Sequence, residues 1–308
     1  MYCSSPVIFL IFRRPDLTAR VFQAIRQAEP PKLLVVADGP RNKAEEILCK
    51  RARLITEQID WDCEVLRNYA DENLGCRDRV SSGISWAFEH VEEAIVLEDD
   101  CLPHPSFFYY CDTLLSYYRD DERIMVISGN NFQDGQQRTP YSYYFSKYNH
   151  CWGWATWRRA WKHWNFSADE WLEFRDSGLI DSVCDTLEEA RYWTAAFERL
   201  FLEGSPDTWD YAWTFACWSQ SGLTALPSVN LVSNIGCRSD GTNITGDFRL
   251  ANLPTDSIGE IVHPNFTCRC KAADEYTFIH AVAGPKKKHV KTKLAYLKKM
   301  LAISLLRR

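Results

Sequence analysis

Three consecutive carboxylates, Glu98, Asp99 and Asp100, follow an apolar run in the segment AIVLEDDCLP. Adjacent like charges repel one another unless a cation lies among them. Mg²⁺ and Mn²⁺ prefer oxygen ligands, and Mg²⁺ often takes one or two carboxylates and completes its shell with water and substrate phosphates. The cluster therefore predicts a site for Mn²⁺ or Mg²⁺, and the alternative is a helix cap followed by a solvated turn.

A fourth carboxylate, Asp210, lies among aromatic residues in the segment DTWDYAW. Removal from water would raise the pKa of this carboxyl, which suits a general base. The alternative is an acid at a helix N-terminus, where the helix dipole favours negative charge. Both interpretations stay open at this point.

Tryptophans recur at steps of three, four and three residues in the segment HCWGWATWRRAWKHW. This spacing predicts one face of a helix, and for the last three of them a place in the core. The four residues are Trp154, Trp157, Trp161 and Trp164.

The residues Trp152, Gly153 and Trp154 suggest a second role at the start of this segment. Glycine lets a ligand approach the backbone closely, and flat aromatic rings pack well on sugar rings. We expect these three residues, together with Trp209 beside Asp210, to contact a donor or acceptor sugar, with core packing as the alternative.

The first 130 residues alternate between continuous apolar runs and segments with helical spacing of apolar residues. Continuous apolar runs are typical of strands buried on both faces. The alternation predicts an α/β fold with a mostly parallel sheet and helices on both faces. We expect strands at 6–12, 32–40, 63–68, 94–98 and 123–129.

Ligands of such sheets bind beyond the carboxyl ends of the strands. Asp38 follows the second predicted strand, and the three acids follow the fourth. The sequence therefore predicts that Asp38 and the acidic cluster lie at the same edge of the sheet.

The chain of 308 residues is 46% hydrophobic and 25% charged, as is ordinary for a soluble globular protein. We expect one domain over 1–284, with a regular α/β half (1–130) and a less regular half richer in aromatic residues (131–284). The N-terminal segment is predicted to be a first strand and not a signal peptide. A cytoplasmic protein with reduced cysteines is therefore expected.

The last segment, 285–308, carries nine Lys or Arg residues and no acid. Subtracting these nine from 36 leaves 27 basic residues against 41 acidic ones in the body, a balance that argues against nucleic acid as a partner. Leucines at helical spacing among the basic residues suggest a helix on an anionic membrane surface, at the inner face of the plasma membrane. A docked terminal helix and a disordered basic end are the alternatives. Vesicle co-sedimentation with and without 286–308 tests the membrane interpretation against both.

Five motifs in order give the chain a resemblance to a known family. FRRPD, VVADGPR, VLEDDCLPHPSFFYYCDTLL, GWATWRRAW and TWDYAW resemble segments of N-acetylglucosaminyltransferase I and its bacterial, family 2-like relatives. The resemblance implies a GT-A fold, with an inverting transfer of a sugar from a nucleotide-sugar, here a UDP-sugar, to a glycan or other hydroxyl acceptor. It also implies a divalent metal, a nucleotide-sugar-binding half over 1–130 and an acceptor-binding and catalytic half over 131–284.

The resemblance also implies roles at the matched positions. Asp100 would be the direct metal ligand, Asp99 would bind the ribose side, and Glu98 would brace the ligands. Asp38 would bind the uracil edge, and Asp210 would be the general base. Arg14 and Arg77 match basic positions near the nucleotide. The loop 234–246 departs from the family, because Asn243 stands where many relatives have a histidine.

Three other functions are compatible with parts of the pattern. A sugar nucleotidyltransferase would carry a glycine-rich signature and a lysine near the first strand, and neither is found in this sequence. A carbohydrate-binding protein without catalysis could keep the same fold. A glycosidase also uses two carboxylates, but the α/β alternation fits it less well.

Overall fold

The computed structural model describes residues 3–238 and 248–284, in which eight strands form one sheet and two short strands form a second. The strands are β1 Val7–Ile11, β2 Lys32–Ala37, β3 Glu64–Tyr69, β4 Glu93–Glu98, β5 Cys101–Pro103, β6 Ile124–Ser128, β7 Tyr143–Ser146, β8 Trp154–Trp157, β9 Leu223–Pro227 and β10 Val232–Asn234. The helices are α1 Pro15–Ala28, α2 Lys43–Ile55, α3 Gly75–His90, α4 Pro105–Tyr117, α5 Arg158–Trp161, α6 Ala168–Asp176, α7 Leu179–Val183, α8 Leu187–Glu203, α9 Asp210–Ser219 and α10 Lys271–Thr277, followed by a π-helical turn, Phe278–Val282.

The large sheet has the strand order β3-β2-β1-β4-β8-β6-β9-β7. Strands β1 to β4 are mutually parallel, and β6 and β9 run in the same direction. Strands β7 and β8 run the opposite way. The expected α/β fold with a mostly parallel sheet is confirmed, and all five predicted strands belong to it.

The chain order creates a crevice at one edge of the sheet. From β1 the chain winds outward through β2 to β3 and then returns to β4 on the other side of β1. The connections that leave β1 and β4 therefore diverge, and such a switch point is where open α/β sheets bind ligands.

Helices cover both faces of the sheet, as the residues of β1 illustrate. Val7, Phe9 and Ile11 pack into a cluster with α1, α2 and α4. Ile8 and Leu10 face the other way, into a cluster with α3, α5, α6, α8 and α9. A strand that is buried on both faces needs a continuous apolar run, which is what the sequence has here.

The tryptophan segment is not one helix, so the prediction from its spacing is wrong. Residues 154–157 form β8, which lies antiparallel between β4 and β6, and a helix begins only at Arg158 and lasts four residues. Hydrogen bonds to two neighbouring strands outweigh a local preference for helix. Trp154 and Trp157 are three positions apart, so they pack on opposite faces of the sheet.

Two features bear on other expectations from the sequence. All twelve cysteines are free thiols. Within the described residues, no helix is both long and apolar enough to cross a membrane. The basic segment 285–308 and Asn243 lie outside the described residues, so the predictions about them stay predictions.

Gly83 generates a first prediction, because it lets α3 pack closely against β2. A Cβ at this position would lie 2.3 Å from Val36 Cγ1. We expect Gly83→Ala to lower the free energy of unfolding by about 1–2 kcal/mol, since overpacking outweighs the better helix propensity of alanine. The neighbouring exposed Ser82→Ala should be neutral or slightly stabilising in the same denaturant titration. A more stable Gly83→Ala protein would contradict this packing.

Candidate functional site

A cavity of about 450 Å³ opens at the switch point between β1 and β4. Its walls come from the segments that follow β1, β2 and β4, from the start of α3, and from the segments that precede β8 and α9. The cavity therefore contains residues from both halves of the chain. Of the residues that the sequence singled out, the cavity lining includes Arg14, Asp38, Glu98, Asp99, Asp100, Trp152, Trp209 and Asp210.

Arg14 connects the two strand ends across the crevice. Its Nη2 donates to Asp99 Oδ1 at 2.5 Å and to Asp100 Oδ2 at 2.9 Å. The backbone N–H of Phe12 also donates to Asp99 Oδ2, at 3.3 Å. Arg14 and both acids are largely buried, so these charge-assisted hydrogen bonds form in a poorly solvated place, where they are strong.

The three acids nevertheless carry more negative charge than Arg14 neutralises. Burial, followed by the charges of Asp100 and Asp99, raises the pKa of Glu98. Burial also raises the pKa of Asp99, although the charge of Arg14 opposes this. The surroundings therefore disfavour full ionisation of the cluster.

The segment that follows β10 also approaches the acidic cluster closely, because β10 pairs with β5, which begins directly after Asp100. The N–H of Ile235 donates to the carbonyl of Asp100 at 2.8 Å. At Gly236 a Cβ would lie only 2.0 Å from Asp100 Oδ2. Glycine is therefore required at this position, because any side chain would push the Asp100 carboxylate out of its place.

The donor set fits a small divalent cation held partly by a substrate. Within 3–238 and 248–284, no group of three or more His, Cys, Asp or Glu side chains is arranged to hold a metal ion. Mg²⁺ does not need such a cage, because one or two carboxylates can hold it together with water and substrate phosphates. Asp100 offers carboxylate oxygens in the cavity lining, and the surplus of negative charge favours a cation there.

Asp210 is the first residue of α9 and lies in the cavity lining. Burial raises the pKa of its carboxyl, although hydrogen bonds from Thr208 and from the backbone oppose the shift. The Thr208 hydroxyl donates to Asp210 Oδ1. Asp210 is thus a helix N-terminal acid that also lines the cavity, and its role as a general base stays a prediction.

Asp38 has a structural task that the sequence did not reveal. Its Oδ1 accepts hydrogen bonds from the N–H groups of Gly39 at 2.8 Å and Leu74 at 3.0 Å, and Asn73 Nδ2 donates to its Oδ2 at 2.8 Å. Asp38 thus anchors the segment that precedes α3. Burial raises the pKa of this carboxyl, and its predicted contact with a base stays a prediction.

The aromatic residues divide into two groups. Trp152 is half-buried in the lining and packs edge-on against Phe132, with 5.6 Å between the ring centroids. Trp209 also contributes to the lining and stacks on Trp154, with 5.4 Å between the ring centroids. Trp154 lies behind Trp209 and is fully buried.

Two of the residues predicted to contact sugar, Gly153 and Trp154, lie outside the cavity lining. Trp154 is a core residue, because its position on β8 turns the side chain into the layer under α9. Gly153 has φ +72°, and a Cβ there would lie 2.7 Å from Val232 Cγ2. The close approach that its glycine permits is thus to a neighbouring side chain and not to the cavity.

The arginine of α3 that lines the cavity is Arg79 and not the predicted Arg77. The Arg77 side chain lies outside the lining, where its Nε donates to Asp78 Oδ1 at 3.1 Å. Arg79 is buried in the lining and donates to the carbonyls of Ala37 and Asn68. Its partners Ala37 and Asn68 are remote in sequence, so the local pattern gave no signal for it.

Comparisons with known proteins identify no family for this chain. No family model matches it, and no curated protein matches it. One similar solved structure is HddC from Yersinia pseudotuberculosis, with 13% identity over 46% of this chain, 59% of that chain and a TM-score of 0.28. Another is UDP-glucose pyrophosphorylase complexed with UDP-glucose, with 10% identity over 52% of this chain, 78% of that chain and a TM-score of 0.30. The chain thus spans less than two thirds of the length of HddC.

The Arg14 contacts generate a second prediction. Arg14→Met leaves a buried carboxylate cluster without its cation, so we expect the free energy of unfolding to fall by about 2–4 kcal/mol. Arg119→Met is the matched control, because Arg119 pairs with Glu93 while 58% of its side chain is exposed, and exposed pairs contribute at most about 1 kcal/mol.

Thermal unfolding with and without Mn²⁺ completes this test. The cation should raise the Tm of Arg14→Met more than that of the wild type, since it can take the place of the guanidinium. Equal losses in Arg14→Met and Arg119→Met would contradict the account of the cluster.

Proposed function

We propose that the protein is an inverting, metal-dependent glycosyltransferase that moves a sugar from a nucleotide-sugar, a UDP-sugar, to a hydroxyl of a glycan. One observation carries this proposal: the acidic cluster and the isolated acid Asp210 line one cavity although they belong to different halves of the chain. Inversion is a single displacement, so it needs one base for the acceptor and stabilisation for the departing diphosphate.

On the donor side, Asp100 would hold the divalent cation, Asp99 would contact the ribose and Glu98 would brace both. When bound, the cation would neutralise charge that develops on the diphosphate. Arg14 lies beside these acids and supplies a fixed positive charge for the nucleotide. Asp38 lies one strand away, beyond the end of β2, at a place where a base could reach it.

On the acceptor side, Asp210 takes the proton from the acceptor hydroxyl. The oxygen then attacks the anomeric carbon, and the bond from that carbon to the diphosphate oxygen breaks with its electron pair leaving on the nucleotide. The Thr208 hydroxyl donates to Oδ1 and orients the carboxylate, which lies in the cavity lining where the acceptor would bind. Trp152 and Trp209 provide flat aromatic surface in the same lining for a sugar ring.

Asp210→Asn tests this assignment. The amide cannot accept the proton, so we expect kcat to fall at least about 100-fold, the contribution typical of general bases, while nucleotide-sugar binding is retained. The measurement is radiolabelled sugar transfer alongside calorimetric binding. Asp169→Asn is the matched control, because Asp169 is an exposed acid in the first turn of α6.

The pH dependence provides a second readout of the same experiment. A base works only when deprotonated, and burial raises the pKa of Asp210. Activity should therefore be lost as pH falls through a pKa above the ordinary value of 3.8 for this carboxyl. Unchanged turnover in Asp210→Asn would contradict the base assignment. Formation of nucleoside triphosphate from pyrophosphate and nucleotide-sugar would favour a nucleotidyltransferase instead.

A further inference from the structure

Asp207 connects the segment before α9 to the first turn of α3. Its Oδ2 accepts a hydrogen bond from the N–H of Cys76 and its Oδ1 accepts one from the N–H of Arg77, both at 3.1 Å. Helix α3 has Leu74 as its N-cap and no cap from that side chain. A carboxylate from a distant part of the chain thus supplies the cap that the local sequence lacks.

Both the backbone conformation of Gly75 and its lack of a side chain suit a position beside the Asp207 carboxylate. Its φ is +82°, a conformation that favours glycine. A Cβ there would also lie 2.8 Å from Asp207 Oδ2. The start of α3 is therefore shaped to receive the Asp207 side chain.

The same segment is held from its other end by Asp38. That carboxylate accepts hydrogen bonds from Leu74 N–H and from Asn73 Nδ2. The start of α3 thus lies between one acid from the end of β2 and one acid from the segment before α9. The two Asp207 contacts join the two halves of the chain at the cavity wall, and the two Asp38 contacts hold the same segment from within the first half.

Asp207 is only three residues before Asp210, and contacts of the two residues between them hold this segment in place. Thr208 donates to the Asp210 carboxylate. Trp209 is buried and stacks on Trp154. Trp209 thus anchors this segment to the core, whereas Asp207 anchors it to α3.

We propose that Asp207 is a positioning residue that fixes Asp210 relative to the nucleotide-binding half of the site. The proposal rests on the proposed function, in which Asp210 is the base. Asp207 takes no part in the chemistry. Its carboxylate holds the segment 207–210 against α3, so that the base keeps its distance from a donor bound at the ends of β1 and β4.

Asp207→Ala removes both hydrogen bonds and tests the proposal. We expect kcat to fall about 10- to 100-fold, since displacements near 1 Å have such effects, while the Kd of the nucleotide-sugar is unchanged because Asp38 still holds the segment before α3. Asp207→Asn keeps one oxygen acceptor, so its kcat should lie between the wild type and Asp207→Ala. Asp169→Ala, which removes an exposed acid from the first turn of α6, should leave kcat unchanged.

Amide hydrogen exchange provides a readout that does not depend on turnover. The amides of Cys76 and Arg77 and the segment 207–210 should exchange faster in Asp207→Ala than in the wild type. Those of the strands β1 and β4 should not change. This pattern distinguishes a local release from general unfolding.

Different results overturn different parts of the account. Unchanged kcat in Asp207→Ala with an active wild type would overturn the positioning role alone. A loss of kcat that is matched by an equal loss of nucleotide-sugar affinity would also overturn it, because Asp207 would then act on the donor. A wild-type protein that transfers sugar from no nucleotide-sugar would overturn the proposed function and this role with it.

Discussion

The ion pairs of Arg14 with Asp99 and Asp100 are the contacts on which the rest of the site depends. They join the segments that leave β1 and β4, the two strands between which the chain reverses its winding. Neither segment could keep its position alone, since three neighbouring carboxylates would repel one another in a buried place. Arg14 offsets part of that repulsion and so holds the two segments together.

The second half of the chain approaches the site through contacts between carboxylates and backbone. Gly236 brings the segment after β10 against the Asp100 carboxylate, and Asp207 brings the segment before α9 against α3. Both approaches depend on a glycine, because a side chain at position 75 or 236 would occupy the space of a carboxylate oxygen. The geometry of the acids is therefore fixed by small residues that carry no chemistry themselves.

Sequence reasoning succeeded where a property repeats locally. Continuous apolar runs predicted β1, β2 and β4, and acids directly after such runs predicted the edge at which Asp38 and Asp100 lie. It failed at β8, because hydrogen bonds to β4 and β6 from distant parts of the chain override the helical spacing of its tryptophans. Arg79, Asp207 and Gly236 were missed for the same reason, since each owes its place to a partner that is remote in sequence.

The central claim is that the acidic cluster at the β1–β4 switch point binds a nucleotide-sugar together with a divalent cation. Isothermal titration of UDP-, GDP- and dTDP-sugars into the wild-type protein, with Mn²⁺ and with a chelator, tests this claim most directly. We predict binding of a UDP-sugar that requires Mn²⁺ and that is lost in Asp100→Asn. No binding of any of the three classes in the presence of Mn²⁺, or equal binding in the chelator, would contradict it.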